Sequence, residues 1–169
     1  MRHEEFESMI MPFKDKLFRM AKRLLVSTEE AEDATQEVLL KLWSKKAGLS
    51  QYNSLEAFAM TMTKNFCLDR LKSKQAAHLK LVHSNYKDES VSVQRQIEGK
   101  DNVSWLEKIM EQLPEAQKIV LQLRDIEDYD FDEIGKLLDM KPTTVRVTLS
   151  RARKAVREQL LEKHRYGIG

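Results

Sequence analysis

The sequence predicts an all-α protein of two small helical domains joined by a flexible linker, the second domain carrying a helix-turn-helix. Three observations point there. Gly and Pro together fill only eight of 169 positions, while helix formers such as Lys, Leu, Glu, Gln, Arg, Ala and Met recur throughout. Apolar residues return at helical spacing over long stretches toward both ends of the chain. Between them, residues 77–103 are rich in Ser, Asn, Gln and charge and show no continuous apolar stripe, the mark of a linker. The expected boundaries are therefore 1–76 for the first domain, 77–103 for the linker and 104–166 for the second domain.

In the first domain the pattern gives helices over 6–25, 28–44 and 54–75, separated by short polar joints. The second of these turns Ala31, Ala34, Val38 and Leu42 to a core and leaves Asp33, Gln36, Glu37 and Lys41 outside, as any amphipathic surface helix would. The third is locally basic through Lys64, Arg70, Lys72 and Lys74.

The second domain opens at Ser104, which with Glu107 has the spacing of a capping box, and Leu106, Ile109, Met110 and Leu113 share a face. Pro114 suits the first turn of a further helix with a buried stripe through Ile119, Val120 and Leu123. Asp130 and Glu133 form another capping box, and Phe131, Ile134, Leu137 and Leu138 give a short helix over 130–140. Pro142 then opens a last helix whose inward stripe is Val145, Leu149, Ala152, Val156 and Leu160.

The net charge of +2 conceals segregation. Residues 141–169 carry eight Lys or Arg against two Glu, whereas 104–140 carry four against ten Asp or Glu. The last helix therefore exposes Arg146, Val147, Ser150, Arg151, Arg153, Lys154 and Arg157, led by Thr143 and Thr144. Guanidinium groups bond phosphates and can fork onto guanine, hydroxyls bond either, and helix-start amides favour a phosphate. A merely solvated basic helix has the same charge pattern; the paired helix in front of it favours DNA, with the acidic helix turned away.

Other chemistry finds no footing. No run approaches the ~20 apolar residues of a membrane span, and the N-terminus is too acidic and polar for a signal peptide, so the cytoplasm is the expected address and no membrane insertion is expected. One cysteine, Cys67, is expected as a small buried residue and excludes an internal disulfide framework. His78 and His83 stand five apart, off a common helical face, so no metal is expected. There is no Gly-rich phosphate loop and no nucleophile with a paired base, so no catalytic site and no cofactor are expected. Trp43 and Trp105 are expected as core anchors.

At this point the residues carry a resemblance. Leu113-Pro114-Glu115, Leu123-Arg124, Phe131-Asp132-Glu133-Ile134-Gly135, Thr144-Val145-Arg146 and Ser150-Arg151-Ala152-Arg153 resemble the promoter-reading domain of the extracytoplasmic-function sigma factors of bacterial RNA polymerase. The run from Ala31 to Trp43 resembles the same family's most recognisable helix, and Asn65, Asp69 and Lys72 match its promoter-melting segment. The resemblance implies a specificity subunit with three surfaces. Thr143, Thr144, Arg146, Val147, Ser150, Arg151 and Lys154 would read an upstream promoter element. Lys64, Asn65, Asp69, Arg70 and Lys72 would hold the melted strand, with Asn65 placed to read an extruded base, and Asp33, Gln36, Glu37 and Lys41 would dock on core polymerase. The implied partners are core RNA polymerase, promoter DNA and an anti-sigma protein. Departures fall at Phe58, Thr143 and Thr148, where the family often has Trp, Gly and Arg, so promoter preference does not transfer.

Three other readings stand beside this one. A regulator acting as a symmetric dimer would leave the acidic helix 29–43 unexplained. A protein-only helical adaptor would lack the steep salt dependence of phosphate binding. A small helical enzyme would need a nucleophile or metal set that the sequence does not assemble.

Overall fold

Phe6, Ile10, Phe13, Leu17, Met20 and Leu24 recur every three or four residues and draw helix α1 (His3–Leu25) onto a core in which all six are buried. The computed structural model describes residues 2–84 and 105–165, which form helices and turns with no strand among the described residues. The chain leaves α1 through Val26 at a positive φ of 69°. The Glu30 amide then donates to Ser27 Oγ at 3.3 Å, capping helix α2 (Thr28–Ser44). The expected inner face of α2 holds, since Ala31, Ala34, Val38 and Leu42 are all buried at 0% exposure. A 3₁₀ turn (Lys46–Gln51) buries Leu49, and the Ala57 amide donates to Ser54 Oγ at 3.1 Å to start helix α3 (Leu55–Ser84). Helix α1 lies against both α2 and α3, completing the N-terminal domain.

Helix α3 runs to Ser84, past its expected end at 75 and into the expected linker. Its extension Ala76-Ala77-His78-Leu79-Lys80-Leu81 is exposed throughout, including Leu79 at 54% and Leu81 at 61%. Intrinsic propensity sustains it there, because Ala, Leu and Lys are among the best helix formers even where nothing packs against them. The remainder of the expected linker, and Ser104 of the expected capping box, lie outside the described residues.

The C-terminal domain is built from α4 (Trp105–Glu111), α5 (Glu115–Leu121) running into a π-helical turn (Gln122–Ile126), α6 (Phe131–Leu138) and α7 (Pro142–Arg165). Ile109, Met110, Leu113, Ile119, Val120 and Leu123 are buried, but Leu106 is 47% exposed and leaves the expected face. Leu160, expected in the inward stripe of α7, is likewise 42% exposed. Both line an open apolar groove between α4, the π-helical turn and α7, bordered also by Ile126, Val156 and Leu161, so α4 does not close over this part of α7. Trp105 is not a core anchor; it is 45% exposed and lies beneath the Lys163 ammonium. Trp43 is half-buried, meeting the Phe6 ring edge-on at 5.1 Å between centroids.

The sequence leaves the relative placement of the two domains open; the structure brings them together. Helix α1 touches α5, α3 touches α6, and buried residues of both domains form one contiguous cluster. Arg19 donates two hydrogen bonds to the Glu127 carboxylate at 2.8 and 2.7 Å, and Arg23 Nε donates to Gln122 Oε1 at 2.8 Å.

Candidate nucleic-acid interface

The helix-turn-helix is set by local chemistry at three points. Asp130 caps α6 as expected: the Glu133 amide donates to Asp130 Oδ1 at 2.7 Å, and the Asp130 amide donates back to Glu133 Oε1 at 3.4 Å. After α6 the chain passes through Asp139 at φ 55°, ψ 50°, a left-handed conformation that Asp tolerates, and the Met140 amide closes onto the Gly135 carbonyl at 2.8 Å. That closure needs glycine, since a Cβ at Gly135 would stand 2.6 Å from the Met140 carbonyl oxygen. Pro142 then takes the first position of α7, where its missing N–H is harmless.

Val145, Leu149 and Ala152 are buried and fix the rotation of α7 against its neighbours. This turns outward all seven residues expected to read DNA: Thr143, Thr144, Arg146, Val147, Ser150, Arg151 and Lys154 are exposed. The Arg146 guanidinium lies 5.0 Å from the Phe131 ring centre, and Arg124 shares that ring at 4.9 Å. The ring contact limits where the Arg146 side chain can go and so pre-places its fork. Arg153 differs from its neighbours: it grips Asp125 with both Nε, at 3.0 Å, and Nη2, tying α7 to the π-helical turn. Its role is therefore structural.

The five residues expected to hold an unpaired strand do not share one face of α3. Asn65, Asp69 and Lys72 form an exposed row. Arg70 turns toward α2, donating to Asp33 Oδ2 at 2.8 Å and lying near Glu30, which also pairs with Lys74. Lys64 points the other way: its ammonium donates to the Leu137 carbonyl of α6 at 3.2 Å, and burial lowers its pKa, opposed by Asp139. On α2, Asp33, Gln36 and Lys41 are exposed and Glu37 is half-buried. Lys41 rests over the Phe66 ring, while Gln36 borders an apolar groove of about 430 Å³ with Leu39, Leu40 and Trp43. Leu40, 61% exposed in the midst of these residues, is an outward apolar position that the inward stripe of α2 conceals in the sequence.

Among the described residues no helix is long and apolar enough to cross a membrane, and no group of three His, Cys, Asp or Glu is placed to hold a metal. Cys67 is buried as expected, and burial pushes its thiol up to about 12, against the pull of Arg70. Iodoacetamide at pH 8 should therefore leave Cys67 unmodified in the native chain and label it fully in guanidinium, as read by intact mass. Rapid native labelling would contradict this burial.

Residues 9–77 match the family described as Sigma-70 region 2, and residues 104–156 match Sigma-70, region 4. The chain belongs to the sigma-70 family, in its extracytoplasmic-function group. It is similar to the extracytoplasmic-function RNA polymerase sigma factor SigW of Bacillus subtilis, at 21% identity over 93% of this chain and 89% of that protein. It is also similar to the RNA polymerase sigma-E factor of Streptomyces avermitilis, at 28% identity over 92% and 85%. In fold it resembles the sigma factor RpoE of Bartonella quintana, solved with the anti-sigma factor NepR, with a TM-score of 0.71, 17% identity, and coverage of 93% of this chain and 97% of that one. As a sigma factor the protein is an alternative specificity subunit: it binds core RNA polymerase and directs promoter-specific initiation, and it is not itself an enzyme.

Proposed function

We propose that this sigma factor divides promoter recognition between its two domains, with residues 1–76 docking on core polymerase and melting DNA and residues 104–166 reading an upstream duplex element. The observation that carries this is the continuous outward row on α7, where threonines at the helix start are followed by Arg146, Val147, Ser150, Arg151 and Lys154, all exposed. A helix start presented to DNA offers amides to a phosphate, and an arginine fork offers two donors to a guanine edge. In the N-terminal domain, Asn65, Asp69 and Lys72 supply the polar and cationic row that an unpaired strand needs, with Lys64 and Arg70 flanking it. The stacked Tyr52 and Phe58 rings, 4.2 Å apart, lie where α3 begins and suit a base taken out of the stack.

Asp33, Gln36, Glu37 and Lys41, with Leu40 among them, form the docking face for core polymerase. Placing a positive charge there, added by Gln36→Arg or reversed by Glu37→Arg, is expected to cut co-purification with core polymerase by about tenfold or more, since a mismatched charge at an interface costs several kcal/mol. Asp33→Arg should do the same while also releasing Arg70. Helix content and thermal midpoint should stay at the parent values, and undiminished co-purification of all three variants would remove α2 from the docking face.

An anti-sigma protein is the further partner, as in the solved relatives RpoE with NepR and CnrH with CnrY. The cytoplasm, where polymerase works, is the compartment. The experiment for the whole reading adds the purified chain to bacterial core polymerase and maps transcript starts by sequencing. Initiation at a discrete promoter set is the expected result; failure to direct any start would return the chain to the class of ordinary DNA-binding regulators.

A further inference from the structure

We propose that Phe131 and Arg124, neither of them in the outward row of α7, set how well Arg146 discriminates between bases, Phe131 by holding the Arg146 guanidinium and Arg124 by bracing the ring that holds it. The inference rests on the duplex-reading role of α7 given above and adds two positioning residues that act through Arg146.

The ring is fixed from two sides. Phe131 is the first residue of α6, directly after the Asp130 cap, where the Glu133 amide donates to Asp130 Oδ1 at 2.7 Å. Its side chain is half-buried and packs against the core that includes Ile134 and Val145. From the π-helical turn, Arg124 Nη1 donates to the Tyr129 carbonyl at 2.9 Å, and the same guanidinium lies 4.9 Å from the ring centre. The turn and α6 thus grip the ring together.

Arg146 is laid onto that fixed ring, at 5.0 Å from its centre. It is exposed, and among the described residues no carboxylate pairs with it, whereas Arg153, two turns further along α7, is taken by Asp125. The difference matters chemically. A carboxylate would restrain an arginine by consuming its N–H donors, but an aromatic ring restrains it through the cation–π attraction and consumes none. The whole fork therefore remains for O6 and N7 of a guanine. Fixing a long, exposed side chain on binding costs about two- to tenfold in affinity, and a side chain already settled on a ring has met part of that cost before DNA arrives. Arg124 brings a like charge to the same ring and is pinned at Tyr129, so Arg146 is kept from the Arg124 side of it.

A Phe131 that served the fold alone would weaken binding whether or not Arg146 is present, whereas a positioning role makes the two losses non-additive. Fluorescence anisotropy on a duplex from a mapped promoter, and on its single-base-pair variants, separates them. Phe131→Leu, which keeps an apolar side chain without a ring, should weaken binding about three- to tenfold. It should flatten preference at the base pair that Arg146→Ala flattens and leave the salt slope unchanged, since no phosphate contact is lost. Added to Arg146→Ala, it should cost less than about twofold more. Phe131→Tyr, which retains the ring face, should keep the parent preference at that base pair, and Arg124→Gln should lower it by less than Phe131→Leu does. Phe131→Met carries the test if Phe131→Leu loses helix by circular dichroism. Equal losses from Phe131→Leu with and without Arg146 would overturn the positioning alone. Parent-like binding by Arg146→Ala would overturn Arg146 as a base contact and this proposal with it. A loss in Arg124→Gln that is uniform over all base pairs, with a flatter salt slope, would make Arg124 a phosphate contact and overturn its share.

Discussion

Replacing Arg146 and Arg151 together by alanine is expected to weaken binding to the upstream element by about thirtyfold or more. Each arginine that forks onto a base is worth about 1–3 kcal/mol of discrimination. The two stand five residues apart on α7, about 7.5 Å along the axis, far enough for their losses to add to a first approximation. Both are exposed, so the thermal midpoint should barely move. Arg146→Ala gives up its contact with the Phe131 ring, but Arg124 keeps its own contact there. Fluorescence anisotropy on a duplex taken from a mapped promoter reads the affinity, and the same titration over a salt series separates two kinds of loss. A lost phosphate contact flattens the salt slope by about one unit for all sequences, whereas a lost base contact relaxes specificity at one position. Parent-like affinity in the double variant would remove α7 from the groove.

Gly135→Ala should produce the other large effect, on the geometry that aims α7. Propensity alone favours the change, by up to about 1 kcal/mol, because alanine is the best helix former and glycine among the worst. Sterics oppose it, since the new methyl would stand 2.6 Å from the Met140 carbonyl oxygen, a backbone atom that cannot swing aside as a side chain would. Overpacking of this kind costs about 1–3 kcal/mol, so the net effect is destabilising. The strain falls on the turn between α6 and α7, so promoter affinity should fall further than stability alone explains. Calorimetry against the parent checks the first part and anisotropy the second; a variant that melts at or above the parent would show that the turn can relax.

Much of the site was legible in the sequence because it rests on local chemistry. The Asp130–Glu133 capping box, Pro142 at a helix start, and the Val145-Leu149-Ala152 stripe each act within a few residues, and together they set which side of α7 faces outward. The same holds for α2, where Ala31, Ala34, Val38 and Leu42 occupy one face and leave Asp33, Gln36 and Lys41 outside. Where reading from sequence fell short, a distant part of the chain intervened. Leu106, Trp105 and Leu160 have the apolar character of core residues, but whether a core covers them depends on how closely α4 packs on α7; Leu106 and Leu160 border an open groove between the two and Trp105 meets Lys163 instead. Arg153 shares the composition of the DNA-facing row, yet Asp125 lies close enough in space to take it.

Arg19 and Arg23 stand at helical spacing in the sequence, but solvated arginines on a surface helix look the same. The chain by itself therefore determined the helices, their inner faces and the outward basic surface of the helix-turn-helix, because periodicity, capping and turn chemistry are short-ranged. Only the tertiary structure decided that Lys64, Asn65 and Arg70 point in three directions, and that α1 meets the acidic domain through Glu127. Those outcomes depend on helix rotation and on contacts between residues as far apart as 19 and 127, which no local pattern encodes.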